Sequence, residues 1–282
     1  MRKSFILALA AVMMTTVCAC GNSAEKSGAK ENLDTTLCQF ENISKSYRMQ
    51  YIEEEGDTFY IDNSVRFFWP KIINGKAATT LQNALRAELV DSVGITEVDQ
   101  IIKCLLECNE PEGAAAATLK PVTEFEGEMP NISSANVNVQ LKELGRRLLT
   151  YHIYYDEYGA GAAHGIYANR YVTYDLKNDK VVTLNDIVAD TNALRSAILR
   201  SIKQEYQYDK DDLILPENGI LPLPQNFYID GMALHAVYQV YEIASYAQGM
   251  IDAPIYPYMI NEKATSIYTP YGREIMGIDD SE

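Results

Sequence analysis

The sequence predicts an α+β fold, a mostly antiparallel sheet packed by helices, on three observations. Turn signals join β-favouring segments into hairpins: Glu55-Gly56-Asp57 between Tyr47–Glu53 and Thr58–Phe68, and Asp230-Gly231 between Asn226–Ile229 and Met232–Tyr238. Helical periodicity stands apart from these strands. Ala77, Leu81, Leu85 and Leu89 recur every four residues, as do Leu194, Ile198, Ile202 and Tyr206. The regular strand–helix alternation of a doubly wound parallel sheet is missing.

In chain order, the first hairpin is followed by an amphipathic helix over Ala77–Asp91 and a shorter one over Glu97–Cys108. Asn109-Glu110-Pro111-Glu112-Gly113 and the alanines at 114–117 break the pattern and predict a loop or sub-domain junction. A strand follows at Leu148–Tyr155. The small-residue loop Tyr158-Gly159-Ala160-Gly161-Ala162-Ala163-His164-Gly165 leads to a return strand, Tyr167–Leu176. Lys177-Asn178-Asp179-Lys180 turns the chain into Val181–Leu184. Asp190 or Thr191 is the N-cap expected for the second amphipathic helix. After the Asp230-Gly231 hairpin, Ala253–Ile260 reads as a final strand.

The 282 residues carry a formal net charge of −15. Such a balance disfavours nucleic acid and anionic membrane, because phosphate binding needs clustered Lys and Arg. It suits a basic partner, or simply keeps the protein in solution. Cys104 and Cys108 lie four apart in a helical pattern, where a disulfide would be strained and two thiols without nearby His make a poor zinc site. Both are expected as buried apolar cysteines, a bridge to Cys38 being the second choice.

Arg2 and Lys3, the apolar run Phe5 to Val17, and Val17-Cys18-Ala19-Cys20-Gly21 look like a bacterial lipoprotein signal. The resemblance implies a signal peptide over residues 1–19, cleavage before Cys20, a lipid on the Cys20 thiol, and a membrane-anchored protein of the cell envelope. Gly21 after that cysteine resembles outer-membrane sorting, toward the periplasm or the surface. Residues 20–36 are polar and predict a disordered tether.

Gly161-Ala162-Ala163-His164-Gly165, Arg170-Tyr171-Val172-Thr173-Tyr174-Asp175-Leu176, Val182-Thr183-Leu184, Phe227-Tyr228-Ile229 and Tyr241–Gly249 resemble the extracellular C-terminal domain family of the anti-sigma factor RsiV, a domain of unknown general function. Ala162 and Ser245 depart from that pattern, which usually carries glycine and proline there. Upstream, Trp69-Pro70-Lys71-Ile72 and Leu81-Gln82-Asn83 resemble the small N-terminal domain of the polysaccharide deacetylase PdaC, without its catalytic domain. The resemblances imply a PdaC-like α+β subdomain over 37–145, an RsiV C-terminal-like domain over 146–262 and a C-terminal tail over 263–282. They also imply a non-enzymatic binding protein that recognises a basic, lysozyme-like muramidase or a peptidoglycan-type wall glycan. Anti-sigma signalling is not expected, because the lipid is the only membrane link foreseen.

No cofactor or metal site is expected. His152, His164 and His235 form no ligand pair of the His-Glu-x-x-His kind, and neither a Gly-x-Ser-x-Gly elbow nor a phosphate-binding glycine loop is present. His152 and His235 read as packed or surface imidazoles. His164 differs, because glycine and alanine crowd its backbone; the loop either hydrogen-bonds it to a neighbouring strand or presents it to a partner. Glu53-Glu54-Glu55 and Asp209-Lys210-Asp211-Asp212 read as solvated charge, although an envelope glycan hydrolase with unassigned carboxylates stays open. Twenty tyrosines against one tryptophan suit sheet packing and interfaces alike. The candidate ligand-binding residues are therefore Tyr158, Gly161, His164, Gly165, Tyr241 and Tyr246; no catalytic residue is assigned.

Overall fold

The computed structural model describes residues 37–91, 94–127, 129–231, 233–257 and 267–278. The predicted signal peptide, Cys20 and the tether lie outside these. Strands β1 (Gln39–Ile52) and β2 (Thr58–Ile73) form the first hairpin, longer than predicted at its open end. Gly56 supplies its turn with φ of 89° and donates to the Glu53 carbonyl at 2.9 Å. A short β3 (Lys76–Ala77) folds back on β2.

Helices α1 (Thr79–Leu89), α2 (Val98–Leu106) and α3 (Gly113–Ala116) follow, then β4 (Lys120–Pro121), which pairs with β1. The alanine stretch expected as a loop thus contains one helical turn, in keeping with the helix preference of alanine. Strand β5 (Asn131–Leu144), which the sequence reading does not contain, pairs parallel with β2. The helices between these strands are the crossover that a parallel pair requires. Every other pairing is antiparallel: β5 with β6 (Leu148–Tyr158), β6 with β7 (Ile166–Asp175), and β7 with β8 (Lys180–Val181). The sheet order is β4-β1-β2-β5-β6-β7-β8, with β3 on β2. The boundary predicted at 145/146 falls in the turn between hydrogen-bonded strands β5 and β6.

Val181–Leu184 does not continue as a strand. The Thr183 hydroxyl and Asp186 carboxylate form a reciprocal capping box that starts α4 (Leu184–Ile187). Helix α5 (Thr191–Tyr206) is capped by Asp190, whose carboxylate accepts from the N–H groups of Asn192 and Ala193. A second sheet then forms, ordered β11-β10-β9, from β9 (Asn226–Asp230), β10 (Ala233–Tyr238) and β11 (Ile251–Ile255). The final strand starts two residues earlier than predicted and ends at Ile255; residues 258–260 lie outside the description. Within the predicted tail, α6 (Pro270–Met276) begins at a Thr269 cap with Pro270 in its first turn, and it buries Ile275 and Met276.

Two apolar cores result. In the first, Leu81, Leu85 and Leu89 of α1 and Ile101, Ile102 and Leu106 of α2 cover Phe67, Trp69, Val139 and Ile153 of the large sheet. In the second, Leu194, Ile198 and Ile202 of α5 and Met276 of α6 pack on Ile229, Leu234 and Ile251 of the small sheet. The expectation of buried cysteines is corrected: Cys104 and Cys108 are exposed on α2 and the turn after it, and both are free thiols, as is the half-buried Cys38. The apolar positions of α2 turn Ile101, Ile102 and Leu106 inward, and that rotation leaves Cys104 on the outer side, while Cys108 follows the end of the helix. No helix among the described residues is long and apolar enough to cross a membrane.

Candidate functional site: an aromatic surface at the end of the β6–β7 hairpin

The β6–β7 loop is held by its own backbone. Gly161 adopts φ of 78°, Ala162 N–H donates to Gly159 at 2.9 Å, and the Tyr158 hydroxyl donates to the Ala162 carbonyl at 3.0 Å. Gly165 is required for a different reason: a Cβ there would sit 2.7 Å from the Glu157 carbonyl oxygen. The loop therefore closes tightly over the end of β6 and leaves His164 exposed.

The loop after β10 meets it from the small sheet. Tyr241 is held with φ of 67°, a left-handed conformation that a bulky residue adopts only at a cost of about 1–2 kcal/mol. Its N–H donates to Ala244 at 3.0 Å, and the half-buried Glu242 carboxylate accepts from Gln239 N–H at 2.8 Å. Burial pushes the Glu242 carboxyl up, opposed by that N–H and by Arg170. The turn brings Tyr246 over the first loop. The His164 and Tyr246 rings stack at 4.2 Å, and His164 Nδ1 and the Tyr246 hydroxyl both lie 2.9 Å from the Gly165 carbonyl oxygen. Tyr241 and Tyr167 flank Tyr246, with ring centroids 5.7 and 6.2 Å away. The nearby Tyr154 phenol is pushed up by burial first, then by Asp156, Tyr167 and Tyr246.

The six candidate residues named from sequence thus lie on two loops that the fold brings together, Tyr158 being the last residue of β6 where the first loop begins. Tyr154 and Tyr167 belong to the same cluster; neither is among the candidates named from sequence, because the ring that gathers them, Tyr246, is remote in the chain. Exposed apolar groups lie on or beside these two loops. Ile166 is 53% exposed, Tyr241 54% and Ile214 52%, and Ile214 joins the second loop through its N–H to the Ile243 carbonyl at 2.8 Å. Large exposed apolar groups gathered on one face mark interaction surfaces more than isolated ones do.

The other two histidines sit together elsewhere. His152, Tyr171, Tyr228 and His235 form a continuous ring stack from β6 through β7 and β9 to β10, with centroids 4.9, 4.3 and 4.2 Å apart. His152 lies 2.6 Å from Asn169 Oδ1, and His235 lies 2.8 Å from Asp252 Oδ1, which matches their reading as packed imidazoles. Burial lowers the His152 pKa, the Asn169 contact opposes this, and Lys142 adds to the lowering. The acidic clusters are solvated: Glu53, Glu54 and Glu55 are exposed, while Asp209 pairs with Lys203. Among the described residues no group of three or more His, Cys, Asp or Glu is placed to hold a metal ion.

Residues 177–256 match the family model described as "Protein of unknown function (DUF3298)". The match runs from the turn after β7 through β11, so it includes the Tyr241–Gly249 loop and stops short of His164. A crystal structure of a DUF3298 family member from Bacteroides fragilis is similar with a TM-score of 0.59 and 18% identity, covering 89% of this chain and 100% of that one. A DUF3298 family protein from Pseudomonas aeruginosa is similar with a TM-score of 0.50 and 14% identity, covering 83% of this chain and 95% of that one. At these identities the likeness shows the fold. No curated protein matches the chain.

Proposed function

We propose that this protein is a non-enzymatic binding module of the bacterial cell envelope, anchored through a lipid on Cys20, that recognises a basic lysozyme-like protein or a wall glycan. The observation that carries the reading is the meeting of two loops in one aromatic surface, exposed at His164 and Tyr241 and half-buried at Tyr167 and Tyr246, with Tyr241 held in a strained backbone. Flat rings with polar tips serve protein hot spots and sugar stacking alike. The net charge of −15 favours a cationic partner. The resemblance to the RsiV C-terminal domain family supports the lysozyme-like partner.

Titration calorimetry of the full chain against a basic lysozyme and against soluble peptidoglycan fragments tests this. One of them should saturate the protein, and Tyr246→Ala should weaken that binding by at least about 1 kcal/mol, as for a central aromatic contact. Absence of binding to both would overturn the reading.

An envelope glycan hydrolase is the alternative, and one observation favours it. Burial raises the Glu143 carboxyl, and the neighbouring Asp230 raises it further by charge and by a shared hydrogen bond, against the opposing Lys142 and Gly231 N–H. Two neighbouring carboxyl groups, one of them pushed up by burial and by the other, resemble the pair from which a general acid and its partner are built. Turnover of peptidoglycan that disappears in Glu143→Gln would establish it.

A further inference from the structure

A cleft of about 360 Å3 opens beside the aromatic surface. It lies on the helix-covered side of the large sheet, where the pairing sets Ala135 opposite Glu157 opposite Ile166, and Val137 opposite Tyr155 opposite Ala168. Small side chains at Ala135 and Ala168 leave the space. Leu105 and Cys108 border it from the α2 side, and Val240, next to Tyr241, borders it from the second loop. The walls are mostly apolar. Among the residues that line it, Asp156 and Glu157 are acidic, and none is Lys, Arg or His.

An apolar slot with the Glu157 carboxylate at its edge and no cation among its lining residues fits one kind of side chain well, a long aliphatic stem ending in a positive charge. A purely apolar group would leave Glu157 unused. A neutral sugar would leave apolar wall against polar hydroxyls. Glu157 is exposed, and its charge acts on the Cys108 thiol: burial raises that thiol first and Glu157 raises it further. The carboxylate therefore stands near the α2 side of the opening.

We propose that this cleft is a socket for an arginine or lysine side chain of a basic protein partner, with the stem between α2 and the sheet and the cationic head on Glu157. The proposal rests on the binding reading above and names the protein partner within it. The His164–Tyr246 surface then supplies flat contact around the inserted side chain, and its tyrosines lie within reach of cation–π contact with neighbouring positive charges.

The test uses the full chain, a basic lysozyme as probe, and alkylation of the free thiols by N-ethylmaleimide. Cys108 borders the cleft and Cys104, one helical turn earlier and also exposed, does not, so it serves as the internal control. Bound lysozyme should slow alkylation of Cys108 more than that of Cys104. Glu157→Gln should weaken binding about ten-fold, and Ala168→Leu, which fills the slot, should weaken it in the same direction. If lysozyme binds and Tyr246→Ala weakens it, while Glu157→Gln binds as tightly as the parent and the two thiols are protected equally, the socket is overturned and the loop surface stands. If soluble peptidoglycan fragments bind and lysozyme does not, the socket falls and the glycan reading is left. If neither binds, both proposals fall.

Discussion

Asp175 ends β7 with no exposed surface, and its carboxylate gathers three parts of the chain. Arg147 Nη2 donates to it at 3.1 Å, the Tyr271 hydroxyl at 2.8 Å, and Asn178 Nδ2 at 2.8 Å, while the Lys177 N–H donates to the other oxygen at 2.9 Å. Burial alone would raise this carboxyl; the hydrogen bonds from Tyr271 and Arg147, the Asn178 N–H and the Arg147 charge outweigh it and hold the group below the usual range. A folded-state pKa below the unfolded one stabilises the protein above the ordinary carboxylate value of about 4 and loses that contribution as pH falls through the folded value. Asp175→Asn should therefore cost about 2–4 kcal/mol near neutral pH. It should also flatten the acid limb of stability against pH, measured by urea unfolding between neutral and acidic pH; an unchanged acid limb would assign that limb to other carboxylates. Nothing in Tyr174-Asp175-Leu176 announces this role, because Tyr271 is 96 residues away in sequence. His164 was legible for the opposite reason: glycine and alanine beside a histidine are a local signal.

At the scale of elements, β7 would be an open sheet edge along its first half, since β8 covers only Tyr174 and Asp175. Two side-chain amides take the place of a neighbouring strand. Gln239 accepts from the Asn169 N–H at 2.9 Å and donates to the Asn169 carbonyl at 2.6 Å. Asn226 accepts from the Tyr171 N–H at 2.9 Å and donates to the same Asn169 carbonyl at 2.6 Å. They join the small sheet to the large one and block an edge that would otherwise be free to pair with another chain. Gln239→Ala should lower stability by about 1–3 kcal/mol and speed amide exchange at Asn169, with Tyr171 less affected, as read by hydrogen–deuterium exchange. Equal protection at both positions in the variant would remove the amide from this role. Such amides escape a sequence reading, as β5 did. In Asn131–Leu144, Ala135, Val137, Val139 and Leu141 alternate correctly, but Asn136, Asn138 and Gln140 between them are poor strand formers taken alone. In the sheet Asn136 accepts from the Ser64 hydroxyl at 2.6 Å and donates to Asp156 at 2.9 Å, a cross-strand benefit visible only once the partners are known. Helix α6 did carry a readable start, Thr269 before Pro270, but its seven residues are too short for periodicity to show.

For the whole molecule the question is whether two cores unfold as one. Each has its own helices and its own sheet, so each could hold partial order alone. Polar and aromatic links across the junction couple them, among them the two amides bound to β7, the Asp175 cluster with Arg147, Tyr271 and Glu274, the ring stack from His152 to His235 and the His164–Tyr246 contact, beside the apolar contact of Leu148 with the second core. Arg147 Nη1 reaches Glu274 of α6 at 2.6 Å, so one guanidinium ties the start of β6 to the C-terminal helix. Cooperative unfolding requires the coupling free energy to exceed the difference in stability between the parts, and links worth about 1–3 kcal/mol each are enough when several act together. The parent chain should then melt in one calorimetric transition. Asn226→Ala with Gln239→Ala and Asp175→Asn should split it in two, with the second core, which holds α5 and α6, separating from the first. A single transition merely shifted to lower temperature would mean that apolar contact across the junction, not these polar links, makes the two cores one unit.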